Sequence, residues 1–268
     1  MSVLRRLMST RPPSPIVLLT DFGYEDQYVG TMKGVIASIA PRAPVIDLSH
    51  NVRPQHVAQG AFLLWSAYRF FPHATVFVAI VDPGVGTARR IILVKAAGRF
   101  FLAPENGLLD MVLSDEHPEL CIDVAVTDSR YVLPRVSRTF HGRDVFAPVA
   151  SHLVNGVPAG KFGTRIAPSR PQHAFVRSRS SERGTVLHVD RFGNIVTDIR
   201  IDNAGVLKGL EAAGRRVTTW TRTYGEAPPR TPCLMIGSSD LVEIAVRDGS
   251  AAKVLGWDIG TRLKIRWA

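Results

Sequence analysis

The segment TVFVAIV at residues 75–81 places the strongest single constraint on the fold of this chain. A strand with one wet face alternates apolar and polar side chains; this one does not, so both its faces are covered and it lies inside a sheet with a layer on each side. Residues 16–20 (IVLLT) have the same texture. Between the two runs, Tyr28, Met32, Val35, Ile36 and Ile39 recur at helical spacing up to Pro41, residues 45–48 form a short strand, and Val57, Ala61, Leu64, Trp65 and Tyr68 return to the helical period. The pattern is βαβαβ. It continues with strands at 91–95 and 100–103, a short helix near 108–113, a strand at 121–126 and a helix through 145–154. The expected product is an α/β domain with a mostly parallel sheet covered by helices.

From residue 184 the texture changes to short alternating runs at 185–189, 195–199, 216–221, 233–236, 242–246 and 263–267. These predict a small all-β barrel or sandwich. The polar stretch at 168–183, containing proline and serine, is the expected linker between an α/β domain at 16–170 and a β-barrel domain at 184–268. Residues 1–15 carry Arg5, Arg6 and Arg11 without the apolar core of a secretion signal, and predict a flexible leader. At 268 residues and 46% apolar content, the chain has material for two cores. No window reaches the roughly 18 apolar residues that a membrane helix needs, so no membrane partner is expected. Cys121 and Cys233 match neither a metal spacing nor a disulfide framework and fit reduced residues of a cytoplasmic protein. The net charge of +10 is scattered, mostly arginine and rarely interleaved with aromatics, which argues against a nucleic-acid partner.

Several fragments imitate known motifs and fail on context. Asp21-Phe22-Gly23 stands too early for a kinase magnesium motif, with no Gly-rich loop and lysine strand before it. Gly84-Val85-Gly86-Thr87-Ala88-Arg89 follows a strand, but the third glycine of a dinucleotide fingerprint is replaced by Arg89 and a strand follows where a helix is required. His50 and His56 lack an acidic partner at helical spacing, so no zinc site is expected. What remains are polar residues at strand ends, where open α/β sheets bind ligands. Asp21 ends the first strand, and Asp82 ends the strand at 75–81 ahead of a glycine-rich turn and Arg89-Arg90. His141 precedes a helix that Asp144 could cap, with Pro148 in its first turn. Taken singly, Asp82 can cap its own loop, either arginine can be a solvated charge and His141 can be structural. Taken together, a carboxylate, a guanidinium and an imidazole on sheet-end loops can orient water and accept its proton.

Seven segments, in order along the chain, carry a resemblance. They are Thr20-Asp21-Phe22-Gly23, Tyr28-Val29-Gly30-Thr31-Met32-Lys33-Gly34, Val81-Asp82-Pro83-Gly84-Val85-Gly86-Thr87, Pro104-Glu105-Asn106-Gly107, Phe140-His141-Gly142-Arg143-Asp144, Asp190-Arg191-Phe192-Gly193-Asn194 and Leu241-Val242-Glu243-Ile244-Ala245-Val246. The chain resembles the S-adenosyl-L-methionine hydrolases, or hydroxide adenosyltransferases, which are related to the fluorinases and chlorinases. The resemblance implies hydrolysis of S-adenosyl-L-methionine to adenosine and methionine, without metal or organic cofactor, by a homotrimer with sites at subunit interfaces. It assigns catalysis to Asp82, Arg89 and His141, with Arg89 preferred to Arg90 by its spacing from Asp82. It assigns the ribose hydroxyls to Asp21, the methionine amino group to Asp190, the adenine side to Phe192 and Asn194, and completion of the nucleoside pocket to the segment holding Ser238 and Glu243. It also implies that the halogenases carry tyrosine where this chain has His141, and that the fluorinases carry serine where it has Gly142. Glu105 departs from the aspartate common in the hydrolases.

Overall fold

In the computed structural model the described residues are 14–126, 130–171, 175, 181–201 and 206–268. Residues 1–13 of the expected leader lie outside them, as do 172–174 and 176–180 of the expected linker. The chain divides into two units, Met1–Gln172 and His173–Ala268.

The first unit contains β1 (Ile16–Thr20), α1 (Tyr28–Ile39), β2 (Val45–Ser49), α2 (Val57–Ala67), β3 (Val76–Ile80), β4 (Ile91–Ala96), β5 (Arg99–Pro104), α3 (Asp110–Asp115), β6 (Leu120–Val124), α4 (Ala147–Val154) and β7 (Gly163–Arg165). Its sheet runs β2-β1-β3-β5-β4-β6-β7. β1 pairs in parallel with β2 and β3, and β3 with β5, whereas β4 is antiparallel to β5 and β6, and β6 to β7. The parallel half therefore carries the crossovers, and the other half is built from antiparallel neighbours. The reversal between β4 and β5 is local: Ala97 and Gly98 sit at φ 48° and 68°, the two left-handed residues of a tight hairpin turn whose twist matches the flanking strands.

Both faces of β1 and β3 are dry, as the all-apolar runs require, whereas the edge strand β2 is partly exposed. Ile16, Leu18, Val76, Val78 and Ile80 pack with Met32 and Ile36 of α1 and with Val149 and Ala150 of α4. On the alternate positions Phe77 stacks on Phe101 with ring centres 5.2 Å apart, and Tyr68 at the end of α2 meets Phe101 edge-on. Because β1 lies between β2 and β3, the chain leaves β1 towards one side and returns on the other, which opens a crevice at the carboxyl ends of β1 and β3.

The second unit contains β8 (Arg183–Val189), β9 (Ile195–Arg200), β10 (Leu207–Ala212), β11 (Arg215–Val217), β12 (Pro232–Ile236), β13 (Leu241–Val246), α5 (Ala251–Leu255) and β14 (Arg262–Trp267). Its order is β11-β10-β14-β8-β9-β13-β12, with antiparallel pairing throughout. Trp220, just past β11, bridges to Leu234 of β12 and nearly closes the sheet into a barrel. Its core includes Ile195, Leu210, Leu234, Ile244 and Trp257, and the Trp257 indole N–H finds the Ala212 carbonyl at 3.2 Å.

Candidate active site

Asp21 and Asp82 leave the sheet at the carboxyl ends of neighbouring strands, since β1 and β3 pair up to Thr20 opposite Ile80. Both line a cavity of about 460 Å³ together with Phe22, Tyr28, Gln55, Phe140 and His141. The aromatic wall is continuous: Phe140 meets Tyr28 with ring centres 4.9 Å apart and Phe22 at 6.0 Å. Asp21 Oδ2 accepts the Gln55 backbone N–H at 2.7 Å. Apolar walls with two carboxylates and an imidazole form the usual composition of a small-molecule site.

Arg89 does not line this cavity. It lies behind Asp82 and His141 and joins them: Nε donates to Asp82 Oδ1 at 2.8 Å and Oδ2 at 2.7 Å, Nη2 also reaches Oδ2, and Nη2 lies 3.0 Å from His141 Nδ1. A guanidinium has only donors, so Nδ1 carries the lone pair and the neutral ring holds its proton on Nε2. Burial and the adjacent Arg89 cation hold the His141 pKa below the usual 6.5, against the opposing pull of Asp82 and Asp144. The side chains of Arg89 and Asp82 are 10% and 5% exposed, so the pair is shielded from solvent.

Two local structures deliver these groups. The turn after Asp82 needs glycine at 86, where φ is 77° and an added Cβ would lie 2.2 Å from the Arg138 carbonyl oxygen. That close approach seats the turn carrying Arg89 against the loop carrying His141. His141 then opens a π-helical turn, Gly142–Phe146, that leads into α4 with Pro148 in the first turn. Asp144 does not cap α4 as its position suggested. It is fully buried, accepts the Ser137 N–H at 2.7 Å and pairs with Arg143, so it pins the 137–141 loop instead. Behind the other end of the turn, Asn106 donates to the Val81 carbonyl at 2.8 Å, holding the residue before Asp82. Glu105, the departure noted above, pairs with Arg90 and accepts from Ser169 at 2.7 Å.

His50 and His56 are not neighbours in a metal site. His56 Nδ1 accepts the Gln59 N–H at the start of α2, and His50 lies buried under the Asp21 loop, facing Asp47 three residues before it at 3.1 Å, an acidic neighbour that the sequence reading missed. Among the described residues no group of three His, Cys, Asp or Glu is arranged to hold a metal ion, and no helix is long and apolar enough to cross a membrane.

The second unit has its own cavity of about 620 Å³, lined by Asp190, Phe192, Asn194, Tyr224, Gly225 and residues 246–249. Asp190 organises the turn between β8 and β9: Oδ1 accepts the N–H groups of Phe192 and Asn194 at 2.8 Å each, and Oδ2 accepts the Asn194 amide at 2.9 Å. Phe192 is left 78% exposed on the rim. Glu243 is buried and accepts the Tyr224 hydroxyl at 2.5 Å; burial and the nearby Asp190 charge raise its pKa. Ser238 stands exposed in the turn joining β12 to β13, outside the residues lining the cavity. Tyr224 escaped the sequence reading. It is half-exposed in a short 3₁₀ turn without strand or helix periodicity, and a large aromatic in such a loop was its one available signal.

The fold and both cavities can be set beside known proteins. The family model described as the SAM hydroxide adenosyltransferase N-terminal domain matches residues 16–163, and that of the C-terminal domain matches residues 184–264. A protein named (R)-S-adenosyl-L-methionine hydrolase from Thermus thermophilus is 38% identical over 257 residues, covering 94% of this chain and 99% of that protein. A fluorinase from Actinopolyspora mzabensis is 32% identical over 238 residues, covering 77% of each. The crystal structure of an uncharacterized conserved protein from Thermotoga maritima superposes with a TM-score of 0.85 at 32% identity, covering 94% of this chain and all of that one. With both domains matched and the likeness to the Thermus protein nearly end to end, the chain belongs to the SAM hydroxide adenosyltransferase family.

Proposed function

We propose that this chain hydrolyses S-adenosyl-L-methionine to adenosine and L-methionine, with water or hydroxide attacking the ribose C5′ carbon. The observation that carries the reading is the buried Asp82–Arg89–His141 constellation at the wall of a cavity that also holds Asp21. Sulfonium departs as a neutral thioether, so the leaving group needs no acid. The unmet requirement is an aligned nucleophile in a water-poor site. As the C5′–O bond forms, the C5′–S pair returns to sulfur and one proton leaves the water. Asp82 faces the cavity as the acceptor for that water's proton and neutral His141 presents its Nε2–H to orient the water oxygen, while Arg89 holds both in register from behind and places a cation close to the site. Asp21 binds the ribose hydroxyls. Asp190 serves the methionine amino group; Phe192 and Asn194 serve the adenine side; Ser238 and Glu243 complete the nucleoside pocket. No metal or organic cofactor is called for by this chemistry.

The hydrolase relatives' name specifies the R form of the sulfonium, and we assign the same epimer as the preferred substrate here. The halogenase alternative is disfavoured at Gly142. A Cβ there would sit 3.1 Å from both Met32 Sδ and Phe140 Cε2, so the serine that the resemblance gives the fluorinases would require those side chains to give by a few tenths of an ångström. The reading includes a homotrimer with sites at subunit interfaces, as the resemblance implies, and the exposed Phe192 ring on the rim of the second cavity is available to such an interface. It also includes a cytoplasmic location, in keeping with two buried, unpaired cysteines.

Incubation with each sulfonium epimer in oxygen-18 water, with added chloride, tests the whole reading. The expected product is adenosine labelled at the 5′ oxygen, faster from the R form. A 5′-chlorinated nucleoside indicates a halogenase, and tight binding without product indicates a non-catalytic nucleoside-binding protein; either refutes it. For the trimer, mixing inactive His141→Ala and Asp190→Ala chains should restore part of the activity, because some interfaces then pair two intact halves.

A further inference from the structure

The residues around His50 form a chain of polar contacts that the chemistry above does not use. Lys33 Nζ donates to Asp47 Oδ2 at 2.7 Å. Asp47 Oδ1 faces His50 Nε2 at 3.1 Å, off the ideal hydrogen-bond axis, and neither atom has another hydrogen-bond partner among the described residues. On the far side of the ring, His50 Nδ1 lies 2.7 Å from the Thr20 hydroxyl, and the Thr20 oxygen accepts the Phe22 N–H at 3.2 Å. The carboxylate fixes the order of protons. With Asp47 facing Nε2, that nitrogen carries the hydrogen, Nδ1 accepts from Thr20, and the threonine oxygen is free to accept from Phe22. Every hydrogen then points towards Asp47; the Phe22–Thr20 and Thr20–His50 hydrogen bonds polarise each other, and the His50–Asp47 contact acts through charge at 3.1 Å.

The chain ends on the cavity. Phe22 follows Asp21, and both line it. His50 holds the same loop in two further ways: its carbonyl accepts the Gly23 N–H at 2.8 Å, and Tyr24 packs edge-on against its ring at 5.1 Å. The loop at 20–24 is thus wrapped around one fully buried imidazole. Burial and the Lys33 cation lower the His50 pKa against the opposing pull of Asp47, which keeps the ring neutral as this proton order needs.

We infer that Asp47, His50 and Thr20 form a positioning relay that sets the Asp21–Phe22 loop for substrate binding. It rests on the reading of Asp21 as the carboxylate that binds ribose. A positioning role predicts a cost in binding rather than in the chemical step, because Asp82, Arg89 and His141 stand on other loops. In Thr20→Val the shape is kept and the oxygen is lost. KM should rise about tenfold, the loss of one modest hydrogen bond's worth of anchoring, with kcat within about twofold. Thr20→Ser keeps the oxygen and should restore KM.

The experiment measures kcat and KM for Thr20→Val, Thr20→Ser, Asp47→Asn and Asp21→Asn, with unfolding curves confirming that each is folded. Raised KM in Thr20→Val and Asp47→Asn, with rescue by serine, supports the relay. Raised KM in Asp21→Asn beside unchanged KM in folded Thr20→Val overturns the relay and leaves the ribose assignment standing. Unchanged KM in Asp21→Asn overturns the ribose assignment itself. Where Thr20→Val does not fold, Asp47→Asn at the more exposed end decides in the same way.

Discussion

Replacing Arg89 by alanine separates the structural work of the buried ion pair from its chemical work. The Asp82 side chain is 5% exposed, and its carboxylate accepts three hydrogen bonds from the Arg89 guanidinium. Removing one partner of such a pair strands the other charge, at a cost of about 3–5 kcal/mol. For a unit of this size each kcal/mol moves the midpoint by roughly 2–4 °C, so Arg89→Ala should melt on the order of 10 °C lower. Turnover should fall by about a hundred- to a thousandfold, since both groups proposed to position the water lose their brace. The double variant Asp82→Asn/Arg89→Ala removes the stranded charge along with its partner. It should regain most of the lost melting temperature and none of the activity. Scanning calorimetry and adenosine formation measure the two effects independently. A loss below about 1 kcal/mol in Arg89→Ala would place the pair among solvated surface bridges, and recovered turnover in the double variant would refute the role given to both residues.

The kcat of the wild-type enzyme should be flat at neutral pH and decline only below the usual histidine value of 6.5, because His141 is held neutral and its protonation sets a second cation against Arg89; an acid limb centred above 6.5 contradicts this. Gly86→Ala combines positive φ with a 2.2 Å contact to the Arg138 carbonyl oxygen, so it should cost about 1–3 kcal/mol and lower kcat, read from urea melts and turnover. Asp198 is half-buried in β9 beside β8, and its burial raises its pKa to about 6 from 3.8. A raised carboxyl contributes stability that is complete below its unfolded pKa and is lost as pH rises through about 6. Asp198→Asn keeps an acceptor for the Thr185 N–H and should therefore stabilise the second unit by roughly 1–3 kcal/mol at pH 8, with the gain gone at pH 4; an equal gain at both values shows that the charge is not responsible.

Elements buried on both faces were the readable part of the fold. β1 and β3 announce themselves as unbroken apolar runs, and α1 and α2 by their period, because burial is the pressure that writes those patterns. β10 (LKGLEA) hides its strand character, since Lys208 and Gly209 interrupt it. Gly209 is there because a Cβ would lie 2.7 Å from the Val217 carbonyl oxygen, a cross-strand constraint invisible along the chain. The expected strand at 216–221 stops at Val217 because Trp220 turns away to bridge Leu234 and donates its indole N–H to the Leu207 carbonyl. The mostly parallel expectation held for β2, β1, β3 and β5 and failed at β4, where a two-residue turn decides strand direction without disturbing hydrophobic periodicity.

The site was readable to the extent that its parts are close in sequence. Asp82 and Arg89 occupy opposite ends of one glycine-rich turn, so their meeting needs only that turn. The approach of His141, 52 residues further along, depends on two glycines with different jobs. Gly86 admits the Arg138 carbonyl, and Gly142 fits between Met32, Phe22 and Phe140. Neither job leaves a periodic trace, because each is a steric exclusion between segments distant in sequence. The same holds for Asp144, which sits where a helix cap is expected but spends its carboxylate on Ser137 and Arg143. Local rules assign an aspartate before a helix to the helix; here the carboxylate is itself fully buried and must be paired where it lies, by the Ser137 N–H and Arg143, while the first turn of α4 already contains proline and has one fewer N–H to cap.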